Sequence, residues 1–199
     1  MNELNNNSMT VTYPSIYVGT NETQIFFTNS TPNLTEIYKP GKNDFQRRCF
    51  VTDATVATLP CMVDFIKNFT DGKCKNDELI ILGSGEAYKN IESVLTIVKT
   101  AVDAGFARKD LFVGIGGGVI CDLTGFAASL FKRGAHVEFV PTTLLAMVDA
   151  SIGGKTGCDF DNYKNMIGSF FPAQKIYMFP EFLKSLSKEQ FRSGLAEAF

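Results

Sequence analysis

Three adjacent residues without side chains, a pair of threonines and a few lysines and carboxylates carry most of the chemistry this sequence can do. Gly116-Gly117-Gly118 follows the apolar stretch Leu111-Phe112-Val113-Gly114-Ile115 and opens a helical stretch that runs to Lys132. Backbone lacking Cβ atoms can approach a diphosphate closely. The first amides of the following helix are then free to donate to phosphate oxygens, helped by the helix dipole. The spacing matches neither G-x-G-x-x-G nor the P-loop, so by itself the turn fits phosphate binding and close packing equally well. Asp122, four residues beyond Gly118, stands in the first helical turns. There it either offsets the dipole or meets a ribose or a water.

The richest segment runs from Pro141 to Gly157. Thr142-Thr143 place two hydroxyls where a strand gives way to a helix, the ligand side of a parallel sheet. Asp149 and Lys155 flank Gly153-Gly154, which lets the chain turn sharply. A second basic site follows at Lys164-Asn165-Met166-Ile167-Gly168. Lysine offers a mobile point charge to phosphate or carboxylate, and carboxylates accept from sugar-like hydroxyls. The set suits a polyhydroxylated, anionic substrate. A solvated surface loop is the alternative, and the apolar run Leu144 to Val148 just before it argues against that.

These residues need elements to hold them. Residues 1–9 are polar and read as frayed, and Ile16 to Thr28 as short strands with turns at Gly19 and Asn21. Cys49 to Thr52 reads as a strand, Val56 to Phe69 as a helix, and Leu79 to Leu82 as a strand apolar on both faces. Ile91, Val94, Leu95, Val98, Ala101 and Val102 recur at helical spacing until Gly105. Strands follow at Leu111 to Ile115, Val137 to Val140 and Lys175 to Met178. Such alternation predicts an α/β fold with a largely parallel sheet and helices on both faces. A last helix begins at Ser187, with Gln190 three residues on as its capping partner.

Composition narrows the class. The 199 residues carry a formal charge of −2 and are 45% hydrophobic, so neither nucleic acid nor an anionic membrane is an expected partner. No apolar run approaches the ~20 residues a membrane span needs, and no signal-peptide pattern opens the chain. A cytoplasmic location is expected. The five cysteines, odd in number and without C-x-x-C spacing, read as free thiols.

Taken in order, Gly116 to Ala128, Arg133-Gly134, Pro141-Thr142-Thr143-Leu144-Leu145-Ala146, Gly153-Gly154-Lys155-Thr156-Gly157 and Lys164-Asn165-Met166-Ile167-Gly168 closely resemble the 3-dehydroquinate synthase family. Gly85-Glu86-Ala87-Tyr88-Lys89 and Gly194-Leu195-Ala196-Glu197 match an earlier and a later element. The resemblance is dense from about residue 84 onward. It implies a Rossmann-like NAD-binding domain over residues 1–180 and, over 181–199, the start of a C-terminal helical domain mostly absent from these residues. It also implies an NAD-dependent, zinc-assisted cyclase of the lyase class in the shikimate pathway. That enzyme turns 3-deoxy-arabino-heptulosonate 7-phosphate into 3-dehydroquinate plus phosphate, acts on a small sugar-phosphate substrate and works as a homodimer. Ser84, Gly85, Glu86, Lys89, Gly117, Gly118, Val119, Asp122, Thr142, Thr143 and Lys164 would contact NAD, with Phe182 and Ser185 more loosely. Asp149, Lys155 and Asn165 would face the substrate, Arg133 would reach its phosphate from the neighbouring subunit, and Glu197 would be a zinc ligand.

The chain departs from that pattern at Ala150, Ile152 and Asp159. More importantly, its single histidine, His136, lies off every matching motif and reads as structural. One carboxylate cannot hold a catalytic zinc, which ordinarily has three protein ligands, so these 199 residues alone are expected to be inactive. A cyclase acting on sedoheptulose 7-phosphate and a non-catalytic nucleotide-binding module remain the alternatives.

Overall fold

The computed structural model describes residues 8–12, 22–39 and 47–198. Its sheet has seven strands: β1 (Ser8–Thr12), β2 (Glu22–Phe27), β3 (Arg48–Asp53), β4 (Glu78–Leu82), β5 (Leu111–Gly116), β6 (His136–Pro141) and β9 (Lys175–Met178). They lie in the order β1-β2-β9-β6-β5-β3-β4. Every pairing is parallel except β1 with β2. Strand β5 is buried along its whole length, which explains why its sequence is apolar without alternation: both faces are covered.

Register shows what covers them. Phe50, Val113 and Glu138 stand in one row across the sheet, and Gly114 and Phe139 in the next. Successive residues point to opposite faces. On Phe50's side lies α2 (Pro60–Thr70), whose Phe65 and Phe69 meet Phe50 edge-on at 5.1 and 5.7 Å. On the side of Phe139 lies α4 (Gly118–Leu130), packed closely enough that a Cβ on Gly114 would sit 3.1 Å from the Thr124 hydroxyl. A short helix, α1 (Leu34–Ile37), precedes the core, and α3 (Ile91–Asp103) buries Val94, Ile97 and Ala101. Asn90 caps α3 through the Ser93 amide, and Gly105, at φ +73, ends it where the sequence places the stop.

Four features differ from the sequence-based expectation. Ser8 and Met9 are paired in β1 rather than frayed; residues 1–7, and Ile16 to Asn21 of the expected early strands, fall outside the described residues. The helix expected from Val56 is broken: a 3-10 turn (Val56–Thr58) precedes α2, because Leu59, extended at ψ 141, comes before Pro60. A residue before proline avoids helical backbone, and Pro60 itself suits the first helical position. The helix expected to reach Lys132 stops at Leu130, with Lys132 at φ 47.

The fourth difference matters most. Residues Ala146–Ala150 form a π-helix, and the segment after Gly154, to which the sequence reading assigned no strand, is a hairpin of β7 (Lys155–Phe160) and β8 (Tyr163–Phe170). Asp161 and Asn162 turn it, both at positive φ, as two-residue hairpin turns require. The hairpin lies along α4, where Ser169 Oγ donates to Ser129 Oγ at 2.9 Å. Gly157 and Gly168 face each other across it, and a Cβ on either would fall within 2.4 Å of an opposing carbonyl oxygen. The glycines of both recurrent motifs therefore let two backbones meet.

Candidate functional site

The residues expected to hold the cofactor converge on one edge of the sheet. Five adjacent parallel strands, β9, β6, β5, β3 and β4, end there. After them come, in the same spatial order, Phe179 to Ser185, Thr142-Thr143, Gly116 to Gly118, Asp53 to Thr55, and Ser84 to Lys89. The chain steps outward from β3 to β4 and returns to β5 on the other side of β3. That reversal opens a crevice where ligands of α/β sheets settle.

Gly116 and Gly117 of the central turn have separate reasons. A Cβ on Gly116 would lie 2.6 Å from Ile120, so only glycine lets the helix rise directly from β5. Gly117 is the N-cap of α4 without a side-chain hydrogen bond, leaving the opening amides of the helix for another acceptor. Thr142 donates its backbone N–H to Gly116 O at 2.9 Å, and Thr143 lies over Gly117. The turn and the threonine pair are one surface.

On the outer side of the crevice Ser84 donates to Asp53 Oδ1 at 2.9 Å and accepts from the Thr55 hydroxyl at 2.8 Å. Gly85, at φ +95, turns the next residues outward, and Glu86 pairs with Lys164 of the hairpin at 3.0 Å. That contact raises the Lys164 pKa. Asp53 and Thr55 escaped sequence reasoning. The available signal was an acidic residue at the C-terminal tip of an apolar strand, the same position that draws attention to Gly116 and Thr142.

Beside this edge lies a cleft of about 410 Å³ lined by Asp122, Asp149, Lys155 and Asn165 together with Thr156, Ser169 and Phe170. Asp149 reaches it from the π-helix, an irregularity common at functional sites. Lys155 begins β7 beside Phe170. The cleft thus unites the three residues expected to face a substrate with Asp122, expected to face the cofactor.

Lys89 joins the two sides. Its ammonium is buried, lies 2.6 Å from Asp122 Oδ2 and donates to Asn165 Oδ1, also at 2.6 Å. Burial pushes the Asp122 carboxyl up to about 6. Lys89 opposes that rise, and the nearby charges of Asp149 and Glu86 add to it. A carboxylate perturbed by desolvation and specific neighbours in a cleft makes this a candidate functional site.

Other expected residues sit apart. Arg133 is exposed in the turn after α4, with φ +65, and does not line the cleft. Phe182 is buried against Phe179, and the Ser185 hydroxyl donates to Phe182 O. His136 meets Gln174 through Nδ1, in keeping with a structural role. All five cysteines are free, three of them buried, and burial pushes the Cys49 thiol up to about 12. Glu197 is exposed on α5 (Lys188–Ala198), whose start is closed by the Ser187–Gln190 capping pair. Among the described residues no three His, Cys, Asp or Glu side chains are grouped to hold a metal. The chain's own described residues therefore do not fit a catalytic zinc.

The sheet, its switch point and the glycine turn define a Rossmann-like α/β domain with a polar cleft at its side. Residues 79–193 match the family model described as 3-dehydroquinate synthase N-terminal, and the chain belongs to the 3-dehydroquinate synthase family. It is 41% identical over 166 residues to a 3-dehydroquinate synthase of Thermococcus kodakarensis, covering 83% of this chain and 45% of that relative. It is 48% identical over 120 residues to one of a Sulfurovum species, covering 60% of this chain and 34% of the relative. The chain thus spans less than half the length of these curated relatives. Among solved structures, a 2-deoxy-scyllo-inosose synthase complexed with carbaglucose-6-phosphate, NAD+ and Co2+ superposes with a TM-score of 0.79 at 22% identity, over 96% of this chain and 51% of that one. A 2-epi-5-epi-valiolone synthase from Streptomyces hygroscopicus, with NAD+ and Zn2+ bound, gives 0.70 at 30% identity, over 88% and 48%.

Proposed function

We propose that this chain is the NAD-binding part of a 3-dehydroquinate synthase, which converts 3-deoxy-arabino-heptulosonate 7-phosphate to 3-dehydroquinate and phosphate. The observation that carries the reading is the row of strand ends: a glycine turn, two threonines and the Asp53–Ser84 pair share one edge, and the Lys155–Asn165–Asp149 cleft opens beside them. The NAD+ held by solved neighbours supports the cofactor. The 41–48% identities to proteins named 3-dehydroquinate synthase support this product over those of the 22–30% identical cyclases.

In this reading the opening amides of α4, with Gly117, Gly118 and Val119, receive the diphosphate. Asp122, Lys89, Thr142, Thr143, Ser84, Gly85, Glu86 and Lys164 hold the rest of the dinucleotide, flanked by Phe182 and Ser185. Bound there, the dinucleotide supplies a transient hydride acceptor for a ring hydroxyl. Lys155 and Asn165 bind the anionic sugar, and Asp149 accepts from its hydroxyls. Residues 1–180 form the nucleotide-binding domain, and 181–199 begin the helical one. Arg133 serves a second copy in a homodimer, in the cytoplasm. A divalent metal would need ligands besides Glu197, so no step is assigned to it and these 199 residues are proposed to bind without turnover.

Calorimetric titration with NAD tests the reading. One site per chain is expected, with no 3-dehydroquinate formed when heptulosonate phosphate and zinc are added. A folded sample that takes up no NAD refutes it.

A further inference from the structure

Asp159 lies in β7 where the hairpin register is irregular: Cys158 pairs with Ile167 and Phe160 with Tyr163, so Asp159 stands outside the backbone ladder. Bulges of this kind aim groups away from the ladder. Its backbone N–H donates instead to Lys89 O at 2.8 Å, across to the loop that follows β4. Its carboxylate Oδ1 accepts the backbone N–H of Asn165 at 2.8 Å. Asn165 stands at φ +56, a conformation asparagine tolerates better than most residues but one that still needs its surroundings to hold it.

These contacts close a circuit. Lys89 is bound through its carbonyl by Asp159, Asp159 fixes the Asn165 backbone, and the Asn165 side chain accepts from the Lys89 ammonium, which also holds Asp122. The hairpin that carries the cleft is thereby tied to the helix that rises from the glycine turn. We propose that Asp159 is a positioning residue that sets Asn165, and through it the Lys89 ammonium, for dinucleotide binding. The affinity part of this proposal rests on the NAD site described above. The anchor itself does not.

Two measurements on the 199-residue chain test it. In NAD titrations, Asp159→Ala weakens binding about tenfold, on the scale of one hydrogen bond to a charged group. Asp159→Asn stays within about twofold of the parent, because an amide oxygen can accept the same N–H. Asn165→Gly, which tolerates the left-handed backbone but lacks the relay, removes the effect: adding Asp159→Ala to it changes affinity less than about twofold, as coupled sites require. Unaltered affinity in Asp159→Ala, or losses that multiply in the double variant, overturns the proposal. In the ligand-free protein, the Asn165 amide is protected from hydrogen exchange in the parent and in Asp159→Asn and exchanges freely in Asp159→Ala. An amide already unprotected in the parent overturns the anchor whether or not NAD binds. Melting curves identify any variant that fails to fold, and Asp159→Asn then carries the comparison.

Discussion

Replacing Asp122 with asparagine should make this protein more stable, and the gain should depend on pH in a defined way. The Asp122 side chain is 16% exposed and carries its charge in the cleft beside Asp149 and Glu86, with Lys89 as its direct counter-ion. Burial lifts its pKa from the ordinary 3.8 to about 6. Below about pH 4 the group holds its proton folded or unfolded and contributes no difference. Between about 4 and 6 the folded protein keeps the proton that the unfolded chain has lost, so stability falls as pH rises through that window. Above it the full penalty applies. A rise of that size corresponds to roughly 2–3 kcal/mol at ~1.4 kcal/mol per tenfold in proton affinity. Asp122→Asn keeps the shape and an acceptor for Lys89 but removes the charge, and the lost attraction to Lys89 is already contained in the rise to about 6, which Lys89 opposes. Its melting temperature at pH 8 should therefore exceed the parent's by roughly 5–10 °C for a domain of this size, and the two curves should converge as pH approaches 4. Thermal melts of both proteins from pH 4 to pH 8 provide the comparison. A variant no more stable than the parent at pH 8, or one whose advantage is the same at every pH, would refute the reasoning.

Three further substitutions probe the supports of the site. Gly194 packs on the segment before the π-helix, and a Cβ there would lie 2.6 Å from Leu144 Cβ and 2.7 Å from Leu145 N. Gly194→Ala should free α5, seen as faster hydrogen exchange from Lys188 onward with the sheet amides unchanged. Gly168→Ala would bring a Cβ to 2.2 Å from Thr156 O, so β7 and β8 must part; loss of NAD affinity with a retained far-ultraviolet spectrum is the expected signature. Asp77→Ala strands the Arg48 guanidinium, which bonds Asp77 through both Nε and Nη2 at the buried base of the sheet. Breaking such a pair costs about 3–5 kcal/mol, measurable by urea unfolding.

Local chemistry was sufficient for much of this. The unbroken apolar run of β5, the helical spacing of Val94 and Ala101, the stop at Gly105 and the Ser187–Gln190 cap are each determined within a few residues, and the sequence alone specified them along with the parallel sheet they imply. Motif order went further: Gly116 to Gly118, Thr142-Thr143 and the later glycine elements marked the family and most of the sheet edge at which the crevice opens. Tertiary structure decided the rest. The hairpin of β7 and β8 was illegible because its strands carry Lys155, Gly157, Asp159 and Lys164 rather than alternating apolar residues, and its stability comes from lying along α4. The burial of Lys89, its grip on Asp122 and Asn165, and the raised Asp122 pKa depend on segments more than thirty residues apart in the chain. Sequence spacing contains no information about how much water remains once such segments meet. That remaining water sets what a carboxylate or an ammonium can do.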